Sequence, residues 1–425
     1  MTTSQKKSVG FWTEWPEGVR WSHEGMIRLL AFLLEGSRGN PDYIFRVVVP
    51  DWIRDVAEED LRGIDAKIGV DFTIHSPRDH DVEATSFADL AQFANEWVPV
   101  DAWLSLYPYF KHAALLDAPL AVVFPDAIPK AFHEFSDAAW GEEGNHLRWE
   151  GDVRELLSHA GRIVTFSDHV AEKHARDIFG FDRKLADTVS HAAPDLESLL
   201  PVLRGRRRST ASRRVAAEYL RAQARAKGNN YLRDYPFEEV DFIAISTQDR
   251  VTKNIQLAAR ALISIVRERR LDLKMIMTSA LHFGHYWTVL PSVIEDAKAL
   301  VDIVPMPDLP RREHAALLHC AAIAVHPSIF EGGHAPFPFY EAVSVGTPAL
   351  MAHGPHIAEL ARNEPAILDY CFDWDDRDAL ANMIIATLER REEVVAAQQE
   401  IYARLQKTSW ADVAAGYARS ALSAA

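Results

Sequence analysis

Short apolar runs rich in Val and Ile recur along the chain at residues 45–49, 121–124, 163–166, 242–245, 273–277 and 323–325. Their apolar residues follow one another without polar alternation, which predicts strands buried on both faces and hence parallel sheets covered by helices. After the fourth run, Ile255, Ala259, Leu262 and Val266 recur at intervals of three or four before a basic RERR end, the spacing of an amphipathic helix. Further helices are predicted over residues 378–390 and 410–422. Alternation of this kind in both halves predicts the α/β class with two Rossmann-like, doubly wound domains.

Residues 194–239 interrupt the pattern with a basic, Ala-rich helical stretch followed by GNNYLRDYPFEE, whose Gly228, Asn229, Asn230 and Pro236 are turn formers. The expected organisation is a first domain over 1–195, a connection with a basic helix over 196–239, a second domain over 240–405, and a C-terminal helix over 406–425 packing back toward the first domain. At 425 residues the chain exceeds what one hydrophobic core usually organises, which agrees with two domains.

The net charge of −15 argues against nucleic acid as a partner, because clustered Lys and Arg drive that binding by releasing counterions. Residues 204–227 are a local basic exception, a segment for peripheral contact with anionic lipid or a solvated helix face. The two cysteines, Cys320 and Cys371, are too few for a disulfide framework or a four-ligand metal site and read as buried thiols of a reducing compartment. The first residues lack a signal-like apolar core, and no apolar run approaches the roughly 20 residues that span a bilayer. The expected location is cytoplasmic, with peripheral attachment at the inner face of a membrane left open.

Residues 326–349, HPSIFEGGHAPFPFYEAVSVGTPA, follow a buried strand. They predict a loop over 328–338, then a helix starting near residue 339 and stopping before Gly346. Open α/β sheets bind ligands beyond the carboxyl ends of their strands, and a helix N-terminus offers free N–H groups and a positive dipole to a phosphate. Glu331 precedes Gly332 and Gly333, which let backbone approach a ligand, and Glu341 is placed in the first helical turn. Two separated acceptor-only carboxylates suit vicinal hydroxyls such as those of a sugar and a ribose. Taken singly, each glutamate reads as well as a surface carboxylate or one complementing the dipole.

The segment resembles the E-x7-E region of retaining GT-B glycosyltransferases of family 4, whose usual form is PS-x-x-EGFGLP-x-x-EA-x-x-x-GTPV. The ends agree; the centre is longer, with nine residues between Glu331 and Glu341, and carries Pro336 and Pro338. The resemblance implies a GT-B architecture, two Rossmann-like domains facing across a cleft. It implies that Glu331 contacts the transferred sugar, that the backbone of Gly332, Gly333, His334, Ala335 and Phe337 meets the diphosphate, and that Glu341 holds the ribose. AISTQDRVTKNIQLAARAL resembles the family's VG-x-x-x-x-RKN-x-x-x-L-x-x-A stretch, so that Lys253, with Arg250 a few positions from its usual place, neutralises the leaving diphosphate. As bare residues the two cations are solvated charges at a helix start, where the dipole disfavours them.

Gly18, in the turn after the first strand, corresponds to a loop that in similar enzymes lies over the diphosphate and near the acceptor. AVVFPDAIPKAF resembles VVTIHDLIP with Asp126 retained and Pro125 in the histidine's place, and GRIVTFSDHVAEKHA places Ser167 at a strand end. Asp126 and Ser167 are acceptor-side candidates, or cap their own turns. His191, His353 and His356 lack ligand spacing and read as polar loop residues. PHIAEL and FDWDDRDALANMI carry the resemblance through residues 242–388.

The activity this implies is metal-independent, retaining transfer of a hexose from a UDP- or GDP-sugar to a glycan, lipid-linked or polysaccharide acceptor, with no further cofactor. Retention by front-face attack needs no enzyme nucleophile, so the lack of a carboxylate dyad is no obstacle. The competing readings are a GT-A enzyme holding a metal at Asp373 and Asp375, and a catalytically silent scaffold that keeps the fold. The sequence leaves the oligomeric state open.

Overall fold

The structure, a computed structural model, describes residues 6–18, 21, 25–133, 144–203, 208–281, 289–333 and 337–425. Two compact units emerge, one of Met1–Ala192 with Thr408–Ala425 and the other of Ala193–Lys407.

The first unit is built on a seven-stranded sheet of β1 (Lys7–Trp12), β2 (Tyr43–Val48), β3 (Phe72–His75), β4 (Ala102–Ser105), β5 (Leu120–Phe124), β6 (Arg162–Thr165) and β7 (Ala186–Thr188). Every pairing is parallel and the order is β3-β2-β1-β4-β5-β6-β7. Strand order therefore reverses between β1 and β4, where a doubly wound sheet leaves a crevice at its carboxyl edge. Gly10 of β1 is opposite Trp103 of β4, and a Cβ there would sit 2.2 Å from the indole ring, so the ring lies over β1 only because residue 10 has no side chain.

The C-terminal helix, Trp410–Leu422, belongs to this unit. It starts at a Ser409–Asp412 capping box and buries Val413, Ala414, Tyr417, Ala418 and Ala421. Two glycines admit it closely. A Cβ on Gly36 would fall 2.1 Å from the Trp410 carbonyl oxygen, and one on Gly161 2.0 Å from that of Ala424. Phe32 stacks on Trp410 with ring centroids 4.4 Å apart.

The second unit carries β8 (Phe242–Ile245), β9 (Lys274–Met277), β10 (Ile303–Pro305), β11 (Ile323–His326), β12 (Ala349–Ala352) and β13 (Cys371–Phe372). They form a parallel sheet in the order β10-β9-β8-β11-β12-β13, so the switch point lies between β8 and β11. Side chains of β8 alternate between two apolar layers: Phe242 and Ala244 join one, Ile243 and Ile245 the other. A sheet covered on both faces is what the unbroken apolar runs require. The amphipathic helix of the sequence pattern is Ile255–Arg267, and it packs with Arg377–Glu389 in the layer of Ile243.

Residues 210–226, within the basic stretch expected to link the domains, form a helix that buries Ala216, Ala217, Leu220 and Ala224 in this unit's other layer. Arg208, just before it, donates to the carbonyls of His319, Cys320 and Ala321 at the end of the helix Arg311–Cys320. Those carbonyls lack intrahelical partners, and a cation there also complements the dipole. His319 closes the same joint. Its Nδ1–H donates to the Val345 carbonyl at 2.8 Å, and its Nε2 accepts from the Ser212 hydroxyl at 2.9 Å. Arg204, Arg206 and Arg207 lie outside the described residues. Cys320 is buried and Cys371 half-buried. No helix among the described residues is long and apolar enough to cross a membrane.

Candidate active site

Two loops leave the carboxyl edge of the second sheet side by side, one after β8 and one after β11. The first tightens into a single turn, Val251–Lys253, closed by a Lys253 N–H bond to the Arg250 carbonyl, and passes through Asn254 in the left-handed region at φ 50°. Asn tolerates that conformation better than most residues, and its side-chain amide also donates to the Trp374 carbonyl at 2.7 Å. The buried Thr252 joins the loops: its carbonyl accepts from Ile329 N–H at 2.9 Å and from the Ser328 hydroxyl at 3.3 Å.

This stitching brings together residues far apart in the chain. Lys253 Nζ lies 2.5 Å from Glu331 Oε1, and His326 Nε2, at the end of β11, lies 2.9 Å from the same oxygen. The three side chains are largely buried, at 18, 21 and 5 % exposure for Lys253, Glu331 and His326. Burial pushes the Glu331 carboxyl up, but the Lys253 ammonium and the His326 hydrogen bond outweigh it and hold the group well below 4.5. Glu331 is thus a fixed anion. The ammonium has three donors, only one of which Glu331 uses, leaving it able to meet a further anionic oxygen.

His326 and His356 were not picked out as site residues from the sequence. With Nε2 of His326 donating to Glu331, its Nδ1 is left as a buried acceptor with no hydrogen-bond partner among the described residues. His356, expected in a loop, is fully buried in the helix Pro355–Ala361, and neither ring nitrogen has a partner among the described residues. The loop expectation failed because Gly-Pro reads as a turn, whereas Pro355 occupies the first helical position, where its missing N–H costs nothing. Burial, reinforced by His326 and Lys253 and opposed by Glu331, lowers His356 to about 3, so it is neutral. A Cβ on Gly354 would lie 2.8 Å from this ring and 2.9 Å from the Ile329 carbonyl oxygen, so glycine lets the loop and the helix meet. The sequence signal available was a histidine closing a buried strand, HPS, and a glycine two positions before another.

The remaining candidates fall as follows. Gly333 borders open space, while Gly332 is buried. His334 and Ala335, with Pro336, lie outside the described residues. The helix starts at Phe337, two residues before the expected 339, because Pro338 fits its first turn without losing a needed donor. Glu341 is consequently its fifth residue, beyond the first turn, and is fully buried. Arg250 is exposed, and among the described residues no hydrogen bond links it to Glu331. Asp373 and Asp375 are exposed.

Gly18, Asp126 and Ser167 lie in the first unit. Gly18 turns the chain after β1 at φ +85° with open space around its α-carbon. Asp126 accepts from Ile128 N–H at 3.0 Å, and the buried Ser167 hydroxyl accepts from Val170 N–H at 3.3 Å, both local turn bonds.

No model of a known protein family matches the chain, and no curated protein matches it in sequence. Solved structures do match. HepE of Anabaena in complex with UDP-glucose superposes with a TM-score of 0.65 at 14 % identity, covering 98 % of this chain and 99 % of that one. Sucrose-phosphate synthase of Thermosynechococcus elongatus gives 0.63 at 10 % identity with 98 % of each chain covered. A glycosyltransferase of Rickettsia africae gives 0.55 at 13 % identity, covering 96 % of this chain and all of that one. With two parallel, helix-covered sheets that superpose over 98 % of the chain, the protein has the GT-B fold.

Proposed function

We propose that this protein is a retaining glycosyltransferase that moves a hexose from a UDP- or GDP-sugar to a glycan, lipid-linked or polysaccharide acceptor without a metal. The observation that carries the reading is the Lys253–Glu331–His326 cluster at the switch point of the second sheet. Solved structures of the same fold bound to UDP-glucose support the donor class.

In this reading Lys253 donates to the leaving diphosphate as negative charge develops there, and Arg250 adds a second cation from the neighbouring turn. Glu331, kept ionised, accepts from hydroxyls of the sugar and fixes its orientation, and His326 holds that carboxylate in place. The bond from the anomeric carbon to the diphosphate oxygen breaks as the acceptor hydroxyl attacks from the same face. The departing phosphate oxygen takes the hydroxyl's proton, so configuration is kept without an enzyme nucleophile. Glu341, in the helix Phe337–Ser344 that follows the loop, takes the ribose-binding role that the resemblance assigns to it.

The test is a thermal-shift panel of nucleoside diphosphates and their hexoses, since a ligand bound only by the native state raises its stability. One base series is expected to raise the melting temperature, with the shift lost in Lys253→Ala. Release of nucleoside diphosphate should persist in EDTA. Binding with no turnover on any acceptor supports the silent-scaffold alternative, and no binding at all defeats both.

A further inference from the structure

The switch point of the first sheet, between β1 and β4, carries a second constellation. Glu14 follows β1 and His112 follows β4, and they meet there: His112 Nδ1 lies 2.5 Å from Glu14 Oε1. Glu14 Oε2 accepts from the His112 backbone N–H at 3.1 Å and from the Trp12 indole N–H at 3.3 Å. The carboxyl side chain is only 8 % exposed, so three donors hold it in place behind the imidazole. The imidazole itself is 29 % exposed and open to a ligand. With Nδ1–H given to Glu14, Nε2 is left with its lone pair, an acceptor for an alcohol O–H. Among the described residues, no hydrogen bond uses that nitrogen.

Rings continue from this pair along the same edge. Phe87 lies 5.8 Å from the His112 ring and 5.8 Å from Trp52, centroid to centroid. Trp52, which follows β2, is 37 % exposed, yet its indole N–H is tied to the Trp15 carbonyl at 3.0 Å. A large aromatic surface held rigid in the open, beside a fixed hydroxyl acceptor, differs from a core residue that happens to show an edge. Rigid aromatic faces bind apolar surface at low entropic cost, and a neighbouring polar group fixes orientation. A pyranose offers both halves of that match, a C–H face for the ring and equatorial hydroxyls for the imidazole.

We propose that the crevice at β1 and β4 is a carbohydrate-binding site, in which Trp52 and Phe87 stack on a pyranose and the Glu14-oriented His112 accepts a hydrogen bond from one of its hydroxyls. It rests on the proposed transfer to a glycan and names the residues that hold the acceptor. Every residue involved belongs to the first unit, and none belongs to the Lys253–Glu331 cluster.

The experiment prints neutral and anionic oligosaccharides as a glycan array and probes them with the labelled full chain and with the variants Trp52→Ala, His112→Phe and Lys253→Ala. The wild type is expected to bind a subset of glycans, with the signal reduced at least tenfold in Trp52→Ala and His112→Phe and kept in Lys253→Ala. Circular dichroism melts and UDP-glucose thermal shifts run alongside. A variant that keeps its melt but loses glycan binding supports the site. Glycan binding unchanged in both Trp52→Ala and His112→Phe, or a wild type that retains no printed glycan, overturns it. Failure of the UDP-glucose shift with glycan binding intact would count against the donor reading and leave this site standing.

Discussion

Replacing Lys253 with Met removes the ammonium while keeping much of the side chain's volume, and leaves Glu331 with His326 alone. Breaking a buried ion pair from one side costs about 3–5 kcal/mol. The two side chains here are 18 % and 21 % exposed, so water relieves part of that penalty and the expected loss is nearer 2–3 kcal/mol. At about 2–4 °C per kcal/mol for a unit of this size, the melting temperature falls by roughly 5–10 °C. In Lys253→Met/Glu331→Gln the orphaned charge is gone, so the double variant recovers part of the loss, with a coupling of about 1–3 kcal/mol. The pH dependence carries a sign. The folded pKa of Glu331 lies below 4.5, so its stabilising contribution is complete above 4.5 and is lost as pH falls through the folded value. Lys253 is the largest influence opposing burial, so in Lys253→Met the carboxyl moves up and the acid-sensitive window moves up with it. Urea melts of the four members of the cycle at pH 7.5 and in steps from pH 5 down to pH 3 measure all of this. Additive single effects, within about 0.5 kcal/mol, would refute a coupled pair.

Three further outcomes are expected. His319 is lowered to about 4 by burial from its ordinary 6.5, so the unfolded chain binds the extra proton first and stability drops as pH falls from 6.5 toward 4, by roughly 3 kcal/mol in all; urea melts across that range should show a shallower decline in His319→Gln. Gly36→Ala forces a Cβ against the Trp410 backbone, with an expected cost of about 1–3 kcal/mol in chemical denaturation and earlier proteolysis of the C-terminal helix. Gln398 is fully buried, accepts from Ala349 N–H at 2.9 Å and donates to the Ala349 carbonyl at 2.7 Å. Gln398→Leu strands both backbone groups and should cost about 2–4 kcal/mol by thermal or urea melts.

What the chain disclosed in advance follows from where its apolar residues lie. Residues 242–245 and 323–325 read as strands because a parallel sheet covered on both faces leaves no polar alternation to confuse them. The helix Ile255–Arg267 read cleanly because one face is buried and the other wet. By contrast β10 and β13 run for three and two residues, too few for any period to show. Within the site, Glu331 and Lys253 were marked by the resemblance of their segments to family motifs, yet their contact depends on Thr252 binding the loop at Ser328 and Ile329, which no local spacing reveals. His356 was passed over because isolated histidines carry no spacing signal, and Glu14 and His112 because 98 positions separate them. Arg208, read as part of a basic surface run, instead caps helix carbonyls, a role set by tertiary packing.

The proposal that the Lys253–Glu331–His326 cluster binds and activates a nucleotide sugar stands or falls on turnover of the donor. Its most direct test is nucleoside diphosphate release from a panel of UDP- and GDP-hexoses by the purified full chain in EDTA, with wild type, Lys253→Ala and Glu331→Gln compared. The wild type is expected to turn over at least one donor, with a loss of about 100-fold or more in each variant, in line with the few kcal/mol that a fixed charge supplies at a developing anion. Equal turnover in all three proteins would contradict it.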